Sequence, residues 1–267
     1  AAISACEKCR EWRRALVFLA EMQRQGLRAS EITCNTIISA CEKGGRWHLS
    51  LGSLASMEQG CLRPTLITQN AVISACEKCG EWPQGVSLLA EMWHKDAKPD
   101  VITCSAAISA CEKGGEWDIA LTMLSKIYDS RIEAGIITYN AAISACGKAK
   151  EWEQAIALFT EARLKSVQSD QITCDVVVSA CERGRIWPRA LDLFSGMPLW
   201  YLTPGPICYL CVVRACGLGR RWLAAAMAFR GMQESALVDD GSVWSGAVWA
   251  HEVSEMLAPS VVRRRTH

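Results

Sequence analysis

The 267-residue chain has no long hydrophobic run, no dominant charge and only four histidines and four phenylalanines. No apolar stretch approaches the roughly 18 residues that a membrane span needs, so no membrane association is expected. Lysine and arginine number 29 against 28 aspartates and glutamates, a net charge of +1. That balance argues against a strongly basic, histone-like nucleic-acid binder and leaves room for a local basic stripe. There is no acidic tail, and the basic end "RRRTH" after Pro259 reads as a frayed terminus. No signal peptide opens the chain. It starts in the middle of a repeat, so upstream segments are expected to lie before Ala1.

No catalytic constellation is visible. His48, His94, His251 and His267 do not recur in register with the cysteines. In "AHEVSEMLAPSVV" (Ala250–Val262), His251-Glu252 has the wrong spacing for a zinc deaminase, and no cysteine follows Cys216. No nuclease-like acidic cluster follows either. The chain is expected not to be an enzyme and to carry no cofactor.

Repetition is what the sequence has in abundance. Ile3, Ile38, Ile73, Ile108, Ile143, Val178 and Val213 precede Ser-Ala-Cys or its variant and stand 35 residues apart. Trp12, Trp47, Trp82, Trp117, Trp152, Trp187 and Trp222 keep the same period. A fixed period of this length signals a stacked array rather than one globular core. The repeats are 31–65, 66–100, 101–135, 136–170, 171–205 and a degenerate 206–240. A partial repeat, 1–30, comes before them, and a partial repeat or capping helix with a tail, 241–267, comes after.

Each repeat reads as two helices. In 101–135, Cys104, Ala107, Ile108 and Cys111 fall at i, i+3, i+4 and i+7, one apolar helical face. Lys113–Gly115 then stops the helix. Trp117, Ala120, Leu121 and Leu124 mark a second apolar face. Pro83 and Pro188 follow their tryptophans, where first-turn proline costs little. A hairpin of this size cannot bury its faces alone, so stacking must do it. The expected fold is an all-α solenoid of helix-turn-helix repeats.

Seven of the fifteen cysteines (Cys6, Cys41, Cys76, Cys111, Cys146, Cys181, Cys216) share one place in the repeat, and Cys34, Cys104 and Cys174 lie seven residues earlier. They read as small buried hydrophobes. Equivalent positions should stand about 9–10 Å apart, beyond disulfide reach. Free thiols fit a reducing compartment. The Cys-x-x-Cys pairs Cys6/Cys9 and Cys76/Cys79 lie two repeats apart and cannot form a four-ligand zinc site, so no metal is expected. The tryptophans read as core packing.

The stretches "VITCSAAISACEKGGEWDIALTMLSKI", "IITYNAAISACGKAKEWEQAIALFTEA" and "LLAEMWHKDAKPD" resemble the pentatricopeptide repeat family over residues 1 to about 240. The tetratricopeptide family, at 34 residues with its aromatic signature in the first helix, fits less well. The resemblance implies a right-handed superhelical solenoid that binds single-stranded RNA along its first helices, about one nucleotide per repeat. It also implies residue roles. The second residue of each repeat, Ile32, Ile67, Ile102, Ile137, Ile172 and Ile207, would wedge against base faces. The fifth and last residues would read the base edge: Asn35/Thr65, Asn70/Asp100, Ser105/Gly135, Asn140/Asp170, Asp175/Gly205 and Leu210/Asp240. Asn with Asp resembles the uridine-preferring combination, Asn35/Thr65 leans to pyrimidine, and Leu210 offers no hydrogen bond. Recent duplication alone would also preserve the isoleucines, and cap residues alone would explain the polar pairs.

Lys8, Lys43, Lys78, Lys113, Lys148 and Arg183 follow the repeated cysteine by two residues. Each repeat's cation stands eleven residues, three helical turns, past its wedge, a candidate phosphate ladder. Preceding glutamates dilute its field, and Leu218 breaks it. The resemblance further implies an organellar protein, in chloroplast or mitochondrion, that acts by occupying RNA during processing, stabilisation, editing or translation, with protein partners supplying any catalysis. Two alternatives stay open: a scaffold whose groove accepts an extended peptide, and a decayed duplicate without a selected ligand.

Overall fold

A computed structural model describes residues 2–228 except 28, 96, 166, 168, 201 and 222. Trp222, Asp240, His251, Glu252 and the expected 241–267 segment lie outside the described residues. Within the described residues every regular element is helical. A short α1 (Ala2–Lys8) is followed by second helix α2 (Trp12–Arg24). Then α3 (Glu31–Lys43) pairs with α4 (Trp47–Gln59), α5 (Leu66–Cys79) with α6 (Trp82–His94), and α7 (Val101–Gly114) with α8 (Trp117–Asp129). The remaining pairs are α9 (Ile136–Ala149) with α10 (Trp152–Leu164) and α11 (Gln171–Arg183) with α12 (Trp187–Gly196), before α13 (Pro206–Leu218). A 3-10 turn, Met197–Trp200, extends α12.

Both ends of the first helices have local causes. The last residue of one repeat caps the next helix: Ser30, Thr65, Asp100 and Asp170 each accept from the backbone N–H three residues on. That satisfies one of the orphan donors of a helix start. At the other end the chain turns through the left-handed region at Arg10, Gly45, Gly80, Gly115, Lys150, Arg185 and Arg220, again 35 residues apart. Glycine takes that conformation without penalty, and the four basic residues take it at about 1–2 kcal/mol each.

The chain divides into two compact units, Ala1–Ala145 and Cys146–His267. In the first, α3 packs on α4 and α5, α5 on α6 and α7, and α7 on α8. In the second, α11 packs on α10, α12 and α13. The cores are built from the same positions each time. Ile38, Ile73, Ile108 and Ile143 are fully buried in the first unit, Val178 and Val213 nearly so in the second. Complete burial of such a side chain contributes about 1.5–3 kcal/mol. In α8 the fully buried face is Ala120, Met123, Leu124 and Ile127, rotated slightly from the stripe expected at Trp117 and Leu121.

The cysteines of the Ser-Ala-Cys motif are buried. Burial pushes the Cys41 thiol up to about 11 and the Cys111 and Cys181 thiols up to about 12, so they are protonated and unreactive at neutral pH. Cys6 and Cys76 are buried while Cys9 and Cys79 are exposed, which sets the members of each Cys-x-x-Cys pair in different surroundings. Among the described residues no group of three or more His, Cys, Asp or Glu side chains is placed to hold a metal ion. None of the described helices is long and apolar enough to cross a membrane.

The tryptophans differ from expectation. The six described repeat tryptophans, Trp12 to Trp187, are half-buried rather than central, and Trp12, Trp82, Trp152 and Trp187 reach the next repeat. A Cβ added at Gly44, Gly114, Gly184 or Gly219 would stand 2.2–2.6 Å from Cδ1 of Trp12, Trp82, Trp152 or Trp187. The glycine at the end of a first helix therefore makes room for the ring that opens the preceding second helix. Arg46 lies over the Trp12 ring at 5.0 Å and Arg221 over the Trp187 ring at 4.7 Å, which covers faces the core leaves open.

Candidate functional site

Three sets of first-helix side chains recur on the array. The second-position isoleucines, Ile32, Ile67, Ile102 and Ile137 in the first unit and Ile172 and Ile207 in the second, are 59–78% exposed. Isolated exposed apolar residues are ordinary, but the same one at the same place in six repeats is not. Isoleucine at an exposed helical position gains nothing for the fold, because its branched side chain is a poorer helix former than alanine.

Beside them, the fifth-position residues are half-buried and tied to the start of the next first helix. The Thr68 hydroxyl donates to Asn35 Oδ1 at 2.5 Å. The Thr103 hydroxyl donates to Asn70 Oδ1, and Asn70 Nδ2 donates to Asp100 at 3.3 and 3.4 Å. Ser105 and Thr138 hydroxyls lie 2.7 Å apart. The pair partners Thr65, Asp100 and Asp170 are N-caps, and Asp100 serves both its helix and the fifth-position Asn70. Asn140 is engaged as well. Gly135 offers open space with no side chain beside Ser105.

Thr68, Thr103 and Thr138, which make these bonds, and Thr173, which bonds Asp170, are fully buried and occupy the third position of their repeats. The Ser-Ala-Cys and tryptophan motifs do not include them. Their recurrence after isoleucine, "IT", was the available signal.

In repeat 171–205 the pattern breaks. Cys208 stands where the next threonine would be, and Gly205 supplies no side-chain cap. Asp175 accepts from the Cys208 backbone N–H instead, and its Oδ1 is buried without a partner. Desolvation pushes the carboxyl up to about 6. A carboxylate raised in the fold holds its full stability below the unfolded value near 4, and the chain loses stability as pH climbs through about 6. Partial solvent access reduces the effect to roughly 1–2 kcal/mol. We expect Asp175→Asn to melt with the wild type at pH 4 and above it at pH 7.5. A difference independent of pH would refute this account.

The cations form the third set, and they are paired. Lys43 binds Glu7 at 2.8 Å, Lys78 binds Glu42 at 2.8 Å and Lys113 binds Glu77 at 2.9 Å, each across one repeat. Ser39, Ser74 and Ser144 donate to Glu7, Glu42 and Glu112 at 2.7–2.9 Å. The Lys43 contact leads the causes that hold the Glu7 carboxyl below its usual range. Lys148 is engaged too. Arg183 has no ion pair among the described residues, because Gly147 replaces the glutamate in the preceding repeat. A Cβ at Gly147 would meet Ala180 Cβ at 2.9 Å. In the last repeat Arg214, in the serine place, takes over Glu182 at 3.7 Å where Leu218 cannot.

Paired helices repeated every 35 residues, with exposed second-position isoleucines and capped, cross-linked fifth positions, define a helical-hairpin repeat protein of the α-solenoid class. The chain belongs to the pentatricopeptide repeat family. The pentatricopeptide repeat domain model matches residues 17–78 and 87–149, and the PPR repeat model matches 1–27, 69–96 and 137–167. No curated protein sequence matches the chain. Among solved structures it is similar to the pentatricopeptide repeat protein PPR10 from maize, with TM-score 0.65 and 22% identity over 91% of this chain and 40% of that one. PPR10 in complex with an 18-nt psaJ RNA element gives 0.63 and 24%, over 91% and 34%. The PPR domain of Arabidopsis thaliana protein-only RNase P 1 in complex with tRNA gives 0.59 and 8%, over 67% and 95%. These likenesses show the fold, and this chain spans well under half the length of the maize chain.

Proposed function

We propose that the chain binds single-stranded RNA along its first helices, roughly one nucleotide per repeat. The exposed isoleucine repeated beside a half-buried polar pair carries the reading. An apolar wedge and an adjacent hydrogen-bonding edge are what an unstacked base requires. The fold's likeness to PPR10 in its RNA complex supports it. In this reading Asn35, Asn70, Ser105, Asn140 and Asp175 face base edges with Thr65, Asp100, Gly135, Asp170 and Gly205, and repeats 66–100 and 136–170 favour uridine. The finer role, occupancy of an organellar transcript with partners supplying catalysis, rests on family membership.

Binding of U-rich and scrambled single-stranded RNA across a salt series tests the reading. Five phosphate contacts would give a log–log salt slope of about −3.5. With Lys43, Lys78 and Lys113 already paired to glutamates, we expect a slope near −1 to −2 and tighter binding of the U-rich strand. No salt-dependent binding at low ionic strength would remove RNA as the ligand.

A further inference from the structure

The buried third-position threonines need a reason beyond packing. Valine has the same shape, suits the space and leaves no hydroxyl to satisfy, since a buried hydroxyl without a partner is costly. Capping explains part of the pattern: Thr68 and Thr173 return a bond to the backbone N–H of their own N-cap. Yet Thr68, Thr103 and Thr138 also reach the fifth-position side chain of the preceding repeat, 33 residues back.

We propose that Thr68, Thr103 and Thr138 are positioning residues that fix which hydrogen-bonding groups Asn35, Asn70 and Ser105 present to an RNA base. The inference rests on the RNA reading above, and it makes each base-reading unit a set of three residues drawn from two repeats. At Asn70 the amide is held at both ends, with Nδ2 on the Asp100 carboxylate and Oδ1 facing the Thr103 hydroxyl, whose single proton Asn70 Oδ1 shares with Asp100 Oδ1. The flipped amide would set its oxygen against the carboxylate. One N–H and one lone pair remain for a ligand. At Asn35 only Oδ1 is taken, by Thr68, whose own oxygen lies 2.9 Å from the Thr65 hydroxyl. Both amide N–H groups of Asn35 and one Oδ1 lone pair remain. Ser105 donates to the Val101 carbonyl at 2.7 Å and accepts from Thr138, so it has no proton left for a base. Three repeats thus present two donors with one acceptor, one donor with one acceptor, and an acceptor alone. In repeat 171–205, with Cys208 in the threonine place, Asp175 Oδ1 is buried without a partner.

The test compares binding of oligouridine and oligocytidine by the full chain, Thr103→Val and Thr103→Ser, with circular dichroism melts to show that each folds. The wild type is expected to prefer oligouridine. Thr103→Val lowers the affinity ratio by about fivefold or more, the low end of the discrimination one base-edge contact supplies, and Thr103→Ser restores it. An unchanged ratio in a folded Thr103→Val, with the wild type discriminating, overturns the positioning role alone. A wild type that binds neither oligonucleotide, or both equally, overturns the RNA reading or its base-reading pairs, and this role with them. If Thr103→Val does not fold, Thr68→Val puts the same question at Asn35.

Discussion

Replacing Ile67, Ile102 and Ile137 together by alanine is expected to weaken RNA binding by about a hundredfold and leave the melting temperature unchanged. Each side chain is about 70% exposed, so its removal takes little buried area from the core. Alanine is also the better helix former by a few tenths of a kcal/mol, so the fold gains slightly if anything. Against a base, each apolar face is worth about 1 kcal/mol at the low end of measured stacking losses. Three such losses come to roughly a hundredfold in Kd. Filter binding or fluorescence anisotropy beside a thermal melt decides the matter. Full RNA affinity in the triple variant would show that the isoleucines are a relic of duplication.

The opposite result is expected at Ile108, on the same helix as Ile102. Ile108 is fully buried, with Cys104, Ala107 and Cys111 on the same face. Ile108→Ala removes the transfer energy of the lost atoms and leaves a cavity, for a loss of about 2–5 kcal/mol. Each repeat leans on its neighbours, so the damage spreads to 66–100 through α5 against α7 rather than staying local. Urea unfolding with intact chain measures it. A loss under about 0.5 kcal/mol, the size of an ordinary surface substitution, would mean that Ile108 is not a core residue.

These two isoleucines show how far the sequence could be read. Period and helical phase put Ile108 in the apolar stripe with Cys104 and Cys111. The same phase leaves Ile102 off the stripe, and only family resemblance gave it a task. Burial of the cysteines was legible because a small apolar residue at a fixed phase has one place to go. The tryptophans were less legible. Their phase put them in the core, whereas they sit half-buried over glycines 32 residues on. Spacing of the cations suggested a phosphate ladder along the first helices, diluted by the preceding glutamates. Their glutamate partners were visible in the sequence too, but not the reach across one repeat that neutralises Lys43, Lys78 and Lys113.

The sequence by itself determined the period, the pairing of helices, the stops at each turn and the buried stripe of isoleucines and cysteines on the first helices. All of these are local, because propensity, capping and a 3.6-residue phase act within one helix. Only the tertiary structure decided who meets whom between repeats: Asn70 with Thr103 and Asp100, Lys113 with Glu77, Trp82 with Gly114. Those partners stand 30 to 36 residues apart, and their meeting depends on how far one hairpin slides and turns on the next. Side-chain packing at the interface sets that register, and no periodicity within a single helix contains it.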